Sequence, residues 1–421
     1  MLKFQPNIIS SWANYSQKLF FNDVMAGISV GVIALPLSIA FAIASGLKPE
    51  VGIFTAIISS FLIAVFGGCK VQIGGPAGAF IVIVYGILHT YGLSNLLIAT
   101  MFSGILLFVM GMMGLGKFIL LIPQTVIYGF TSGIAVLILL SQLKEFFGLT
   151  VELPVDFFGI LKQVYLHFNE FDAATLLMSV SCLMLMFVWR HLKQYLGVFR
   201  GVPEILVVLI LSTTVVIYAH LSIETIGHKY GGLTSHFPPW IMPSVDVAGI
   251  YHLLVPILTL ALLGAIESLL CARVADSLTH ENHDPDQELM GQGIANFMVP
   301  FFGGMPATGT IARTVTNIKS GATSPMSGIV HALTLLIIVY FLGFLAKDIP
   351  LACLAAILIY VALNMGDWHR LIRYKQHSVS DQISMFSVFI LTVIFNLTIS
   401  ITVGILWALC IHSYNKWKFS E

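Results

Sequence analysis

The chain has 421 residues, of which 57% are hydrophobic and only 10% are charged, and its 20 basic residues balance its 20 acidic ones. Soluble domains carry roughly 25% charged residues, so this composition excludes a water-soluble fold of this size, and it also excludes a disordered chain. Without a basic surplus or a basic tail, electrostatic binding to nucleic acid is not expected. The solvent of this protein is therefore expected to be lipid.

Apolar stretches long enough to cross a bilayer, about 20 residues, recur between short polar joints. We predict fourteen membrane segments, some too short to cross alone, at 24–44, 51–66, 76–89, 93–114, 119–141, 172–190, 203–221, 251–272, 287–302, 307–319, 324–345, 350–365, 381–397 and 398–415. The polar, mildly amphipathic stretch 154–168 is predicted to lie along a surface. The stretch 220–250 is rich in Gly, Pro and His and is predicted to be a loop outside the membrane between two halves.

The basic residues indicate an orientation. They cluster before segment one and after segments six, twelve and fourteen, as Lys3 and Lys18, as Arg190, Lys193 and Arg200, as Arg370, Arg373 and Lys375, and as Lys416 and Lys418. An even number of segments separates these clusters, so they share one side, and the positive-inside tendency predicts that both termini are cytoplasmic. We expect a multi-pass protein of the inner (cytoplasmic) membrane.

Two short sequence patterns recur seven segments apart. Phe66-Gly67-Gly68 is echoed by Phe302-Gly303-Gly304, and Pro123, which opens segment five, is echoed by Pro350, which opens segment twelve. An odd number of segments per repeat makes the two copies insert in opposite directions, and inverted repeats with interrupted helices are typical of secondary transporters. The echoes are short, so chance similarity is the alternative interpretation.

The glycine-rich breaks before segments three and ten carry the first candidate site. Extended backbone inside a membrane survives only where it is buried or lines a polar cavity. Free N–H groups at Gly78 and Ala79, and along Thr308–Ala312, would then point out of two helix starts, which bind anions well. The alternative is that these glycines only allow close helix packing, which GxxxG spacing favours at Gly27 and Gly31 and at Gly129 and Gly133.

Two charged residues within apolar segments are the next candidates. Arg313 follows the second break, and its planar guanidinium could hold a carboxylate, sulfate or bicarbonate. Alternatively it lies at the cytoplasmic end with Lys319. Glu267 lies roughly 20 Å into its segment, counted at 1.5 Å per residue, and could exchange a coupling proton, bind Na⁺ or bond to the backbone. The run His280–Asp284 lacks the HExxH pattern, so we interpret it as a polar connector and predict no metal site and no cofactor.

At these positions the chain resembles the membrane domain of the SulP anion transporters, the sulfate permeases. The resemblance covers nearly the whole chain, and its motifs are 35–42 (LPLSIAFA), 46–54 (GLKPEVGIF), 74–80 (GGPAGAF), 264–270 (GAIESLL), 291–296 (GQGIAN), 311–314 (IART) and 321–325 (GATSP). Glu267 matches a carboxylate that some members use for proton or sodium coupling. The local sequence around Glu267 and Arg313 most resembles that of the bacterial proton-coupled C4-dicarboxylate group.

The resemblance implies an all-α polytopic membrane protein of 14 segments in a 7+7 inverted repeat, UraA-like, with two short strands preceding half-helices 3 and 10. It implies a core domain at 23–116 and 251–347, a gate domain at 117–222 and 348–415, a connecting loop at 223–250, an N-terminal segment at 1–22 and a tail at 416–421. The implied anion site lies between the half-helices and comprises Gly75, Ala77, Gly78, Ala79, Phe80, Thr308, Gly309, Thr310 and Arg313.

The expected function is secondary active transport of a small anion, either sulfate, a related oxyanion or a C4-dicarboxylate, by proton symport with alternating access. Sodium-coupled bicarbonate transport and an anion channel or exchanger are the alternatives. An enzyme is not expected, because no catalytic dyad lies at depth in the segments. Most members continue into a cytoplasmic STAS domain, which the chain ending at Glu421 does not include, and we expect a homodimer formed through the membrane domain.

Overall fold

The computed structural model describes residues 4–11, 15–119, 123–154, 156–197, 202–233, 236–243, 251–373 and 379–395, together with Ser400 and Val403. The first half contains α1 Asn7–Ser11, α2 Gln17–Ala44, α3 Pro49–Phe66, β1 Gly74–Gly75, α4 Ile81–Met112, α5 Gly116–Ile119, α6 Gln124–Ser141, α7 Leu143–Phe147, α8 Phe157–Leu166, α9 Ala173–Leu192 and α10 Glu204–Ala219.

The second half contains α11 Ile226–Tyr230, α12 Leu254–Thr279, α13 Pro285–Met298, β2 Thr308–Gly309, α14 Ile311–Lys319, α15 Met326–Leu342, α16 Leu351–Met365, α17 Trp368–Ile372 and α18 Val379–Ile394. Short 3₁₀ turns cover Gly78–Phe80, Phe168–Glu170, Val299–Phe302 and Gly343–Asp348. The described chain is thus mostly helical, as a bilayer requires of segments whose backbone bonds must be satisfied internally.

Among the described residues, seven helices are long and apolar enough to cross a membrane, at Gln17–Ala44, Pro49–Phe66, Gly78–Met112, Gln124–Phe147, Ala173–Leu192, Tyr251–Thr279 and Met326–Asp348. Four shorter apolar helices are Phe157–Leu166, Glu204–Ala219, Leu351–Met365 and Asp381–Ile394. The predicted segment 398–415 lies outside the described residues apart from Ser400 and Val403, and so does the tail 416–421. The total of fourteen segments therefore stays a prediction.

Predicted segments three and four form a single helical element, α4, which is broken within its length. Gly92 has φ 81° and ψ 172°, which no helix contains, and the chain kinks there. Glycine is the residue that adopts this backbone without a Cβ clash. The break falls between the predicted ranges 76–89 and 93–114. The predicted surface stretch 154–168 contains α8, of which only Ile160 is buried.

The helices pack as two groups. In the first group α4 packs against α12 and α13, α15 packs against α2 and α3, and α3 also contacts α13. Gly27 and Gly31 of α2 lie against α15, where a methyl group on Gly27 would sit 2.6 Å from the carbonyl oxygen of Ser327. Small residues permit this close approach of two backbones.

In the second group α6 packs against α16 and α18, while α9 packs against α10 and α16. Gly129 and Gly133 give α6 the same close approach to α18. The groups meet where α10 and α16 contact α2 and where α6 contacts α4 and the turn Gly78–Phe80. The core and gate ranges stay a prediction. The packing divides the described helices into two groups, whose boundary runs beside the turn Gly78–Phe80.

Candidate functional site

The two glycine-rich breaks meet in a small β-ladder. β1 pairs with β2 in antiparallel orientation, with Gly74 opposite Gly309 and Gly75 opposite Thr308. Because the strands run in opposite directions, the helices that follow leave the ladder from opposite ends. Both helix starts consequently point back toward the ladder, and their partial positive charges meet there.

Neither helix start is capped by a side chain. Ala77, in extended conformation, precedes the turn Gly78–Phe80 that leads into α4, and Thr310 precedes α14, and neither residue makes a side-chain cap bond. The Phe80 and Ile81 N–H groups bond to the carbonyls of Ala77 and Gly78 in the 3₁₀ turn. The other first-turn N–H groups, which have no partner within their own helix, can bind a ligand or water. This arrangement suits an anion that accepts hydrogen bonds from both starts.

Two of the predicted anion-site residues have their hydroxyl groups engaged elsewhere. The Thr308 hydroxyl donates to the carbonyl of Gly264 at 3.1 Å, and the Thr310 hydroxyl donates to the carbonyl of Ile73 at 2.9 Å. A hydroxyl has one hydrogen to donate. In this structure Thr308 and Thr310 therefore shape the ladder, and the donors left for an anion are backbone N–H groups and Arg313.

Arg313 is the cation of the site and is only 2% exposed. Its Nη2 donates to the Ser38 hydroxyl of α2 at 3.1 Å, whereas its Nη1 is buried and has no hydrogen-bond partner. Within the described residues no carboxylate forms an ion pair with Arg313. Nη1 lies against Gly75, where a methyl group would be 2.3 Å away. An unpartnered guanidinium N–H beside two helix starts is a strong anion donor.

Glu267 lies on α12 beside the ladder, one turn after Gly264, whose carbonyl accepts the Thr308 hydroxyl. Glu267 is only 7% exposed, and its side-chain Oε1 is buried without a hydrogen-bond partner. A carboxyl group in this position is costly to keep charged and is a functional candidate by default. Gly264 also faces the ring of Phe80, so α12 touches both halves of the site.

The predicted anion-site residues are all buried, and the ladder brings them together. Gly75, Thr308 and Gly309 form the ladder itself, while Ala77, Gly78, Ala79 and Phe80 form the first helix start. Gly78 faces the second packing group, because a methyl group on it would lie 3.3 Å from Ile138 of α6.

Several polar residues around the site escaped the sequence analysis. Ser38 orients Arg313, and Gln72 donates to the hydroxyl of Ser268, the residue after Glu267, at 3.0 Å. Glu288, Gln292 and Asn296 on α13 are also buried. Their spacing of four residues, visible in the sequence, was the available signal.

The His280–Asp284 connector forms a hydrogen bond and an ion pair at one end of α12. His283 Nδ1 lies 2.6 Å from Asp276, and Lys70 lies 2.9 Å from Glu281. An open cleft of about 450 Å³ is lined there by Arg273, Asp276, Ser277, His280, Glu281 and Asn282. In the described part of the chain no group of three or more His, Cys, Asp or Glu side chains is arranged to hold a metal ion.

Comparison with known proteins gives a family and a fold. Residues 20–388 match the model of the sulfate permease family. A Bacillus subtilis protein named "Putative sulfate transporter YvdB" is 42% identical over 396 residues, which cover 94% of this chain and 74% of that protein. The bicarbonate transporter BicA of Synechocystis is 33% identical over 393 residues, covering 91% and 68%.

Solved structures agree in fold. The transmembrane domain of a cyanobacterium bicarbonate transporter BicA superposes with a TM-score of 0.82 at 29% identity, covering 94% of this chain and 98% of that one. The structure of SLC26A9 superposes with a TM-score of 0.86 at 18% identity and covers 97% of this chain and 68% of that one. The second similarity speaks for the fold alone.

Proposed function

The chain belongs to the sulfate permease family, and on that premise we propose that it is a secondary active transporter for a small anion. The observation that carries this proposal is Arg313, a buried guanidinium whose Nη1 has no partner and lies at the ladder where two uncapped helix starts meet. Buried donors held in place by the fold can bind an anion even though the sequence as a whole carries no net positive charge.

The proposed substrate is sulfate, a related oxyanion or a C4-dicarboxylate. Tetrahedral or planar oxygen groups accept hydrogen bonds in several directions, as the N–H groups of Gly78 and Ala79, those of the first turn of α14, and Arg313 Nη1 require. The bicarbonate transporters among the relatives favour bicarbonate as the second candidate substrate.

We propose that transport is coupled to a proton through Glu267. Its unpaired Oε1 lies on the helix whose Gly264 carbonyl holds Thr308, so a change of charge at Glu267 acts directly beside the anion. Protonation of Glu267 removes a negative charge that would repel the anion. When Glu267 returns the proton to water, its restored negative charge would promote release of the anion. Sodium in place of the proton is the alternative coupling ion.

The proposed movement is alternating access, in which the packing group that contains α2–α4 and α12–α15 slides against the group that contains α6, α9, α10, α16 and α18. The two helix starts belong to the first group, and Gly78 faces Ile138 of the second group. The anion site would thus travel along the boundary between them. We further propose that the protein spans the bacterial inner membrane with cytoplasmic termini and forms a homodimer there.

Uptake into proteoliposomes tests this function. Labelled sulfate, bicarbonate and fumarate are offered with and without a proton or a sodium gradient, and unlabelled anion inside the vesicles tests counterflow. Saturable, counterflow-stimulated uptake driven by a proton gradient is the expected result. Conductance at channel rates would contradict a carrier, and a sodium requirement would transfer the coupling to the alternative ion.

Two substitutions test whether anion binding and proton coupling depend on the residues of this site. Arg313→Ala should raise the KM for the anion roughly ten- to hundredfold, because a hydrogen bond to a charged group is worth about 1.5–3 kcal/mol. Glu267→Gln should remove the pH dependence of uptake, whereas the same change at the exposed Glu281 should preserve it. Unchanged KM in the first variant, or a wild-type pH profile in the second, would contradict the assigned roles.

A further inference from the structure

One face of α13 carries a row of three buried polar side chains, Glu288, Gln292 and Asn296, which we call the α13 stripe. The spacing of four residues places them one above another on a single helix face. All three are buried, as is Gln287 beside Glu288, while the rest of the helix beyond its first turn is apolar or small. Buried polar groups are costly unless they are hydrogen-bonded, so their partners indicate what the stripe does.

Glu288 holds the backbone that leads into β1. Its Oε2 accepts the N–H groups of Gly68 at 2.9 Å and Cys69 at 3.0 Å. Its Oε1 accepts the Ser268 hydroxyl at 3.1 Å and the Gln292 amide at 3.1 Å. Four donors fill the acceptor capacity of a carboxylate, and none of the four is a cation.

Asn296 holds the backbone that leads into β2. Its Nδ2 donates to the carbonyl of Ala307 at 2.8 Å, and its Oδ1 accepts the N–H of the same residue at 2.9 Å. Ala307 directly precedes Thr308, the first residue of β2. The side-chain amide thus replaces a strand partner for a residue whose backbone groups lie away from water.

Gln292 joins the two ends of the stripe. Its Nε2 donates to Glu288, and its backbone carbonyl accepts the Asn296 amide at 3.0 Å. Eight residues of α-helix separate Glu288 from Asn296, a rise of about 12 Å at 1.5 Å per residue. One rigid helix therefore sets the distance between the two extended segments that enter the ladder from opposite sides.

We propose that the α13 stripe positions both halves of the anion site and that Glu288, Gln292 and Asn296 determine which anion fits between them. The stripe residues do not touch the anion; they fix the two backbones whose N–H groups do. This inference rests on the proposed function and extends it to the selection among oxyanions of different size. A purely structural stripe would support folding without influencing the choice of anion.

The test uses variants that keep side-chain shape. Glu288→Gln turns an acceptor into a donor that faces another donor, and Asn296→Asp keeps the acceptor for the Ala307 N–H but removes the donor to its carbonyl. Asn296→Ala removes both bonds to Ala307 and the bond to the Gln292 carbonyl, and it serves if the aspartate variant does not fold. Thr100→Val is the matched control, because Thr100 is buried on α4, which packs against α13, and its hydroxyl donates to Leu96 of its own helix.

Each purified variant is reconstituted, and uptake of the labelled anion that the wild type carries best is inhibited by sulfate, bicarbonate and fumarate. We expect the KM to rise about tenfold, the effect of one lost buried hydrogen bond, and the ratio of the sulfate and bicarbonate inhibition constants to change several-fold. The control should leave both values unchanged even where its Tm falls equally. The ratio decides, because a loss of folded protein lowers Vmax and leaves a ratio of inhibition constants unchanged.

A stripe variant that lowers only Vmax, or shifts the ratio no more than Thr100→Val does, would overturn the positioning role while wild-type uptake and its loss in Arg313→Ala still support transport. Absence of anion uptake by the wild type would instead reject the proposed function itself. Failure of the positioning role is therefore seen in the stripe variants, and failure of the proposed function is seen in the wild-type protein.

Discussion

Gly75→Ala is the sharpest perturbation that the site offers. The added methyl group would lie 2.3 Å from Nη1 and 3.3 Å from Cζ of Arg313. Carbon contacts are comfortable near about 3.5 Å, so the guanidinium must retreat by about 1 Å. The atom that must move is the end of a flexible side chain, so the clash displaces the donor from the ladder, while the φ of 158° at Gly75 adds backbone strain to any residue with a Cβ.

The size of the effect follows from Coulomb's law. Two unit charges about 3 Å apart at an effective dielectric constant of about 20 attract by about 5.5 kcal/mol, and at about 4 Å by about 4.2 kcal/mol. The difference of about 1.4 kcal/mol corresponds to about tenfold in affinity. We therefore expect Gly75→Ala to raise the KM for the anion about tenfold, and we expect the backbone strain at a φ of 158° to lower the Tm.

The assay is anion uptake in proteoliposomes for a double-mutant cycle of Gly75→Ala and Arg313→Ala. Once the guanidinium is absent, the methyl group should have no further effect on KM. Gly303→Ala is the control glycine, because its φ of 68° also strains a residue with a Cβ, while a methyl group there meets Ile241 at 3.4 Å, which is ordinary contact. Equal losses from Gly75→Ala with and without Arg313 would refute the reasoning.

Two further predictions concern stability. Asp23 is buried and accepts the Thr323 N–H at 2.6 Å, the Ser324 hydroxyl at 2.5 Å and the Tyr15 hydroxyl at 2.7 Å, so Asp23→Asn should cost on the order of 1–3 kcal/mol and lower the Tm by several degrees. An unchanged melting curve would contradict this. Burial alone lowers the pKa of Lys229, but the Glu145 carboxylate 2.7 Å away more than offsets that, so the pKa lies above its ordinary value. Stability from this pair is complete below the unfolded-state pKa and is lost as pH rises through the folded-state pKa. Melting curves between pH 8 and 12 should therefore fall more steeply for the wild type than for Lys229→Met, and parallel curves would reject the pairing.

Local features of the fold follow closely from the sequence. The segments predicted at 51–66 and 350–365 correspond to α3 Pro49–Phe66 and α16 Leu351–Met365. An apolar segment in lipid must satisfy its backbone hydrogen bonds internally and therefore forms a helix. The ends of such a helix are indicated in the sequence by proline, glycine and charged residues. Gly92 likewise marks a helix boundary in the sequence, since it lies between two predicted segments and is the residue at which α4 kinks.

The partners of individual polar groups could not be predicted in the same way. The resemblance places Thr308 and Thr310 near the anion, yet their hydroxyl groups donate to the carbonyls of Gly264 and Ile73. Likewise, nothing in the sequence around Arg313 indicates that Ser38 holds one nitrogen and leaves the other free. Such choices depend on distances between segments that are remote in sequence, and hydropathy carries no information about them.

Glu288 illustrates a signal that was present but misleading. It lies in the first turn of α13 after Asp284 and Asp286, where acidic residues are common because they favour a helix N-terminus. Composition therefore suggests a boundary residue rather than a buried one. The repetition at Gln292 and Asn296 distinguishes the two possibilities, because a solvated boundary needs no polar residue two turns deeper into an apolar segment.

The β-ladder also has a consequence for the order of events during biosynthesis. Thr310 bonds to Ile73 across 237 positions of the chain, so the first half waits in the membrane with its extended segment unpaired while the second half is made. Contacts so distant in sequence form late, after the entropy of closing a long loop has been overcome. The first half alone would leave the backbone of β1 without its strand partner, so the site cannot form until the second half has been made.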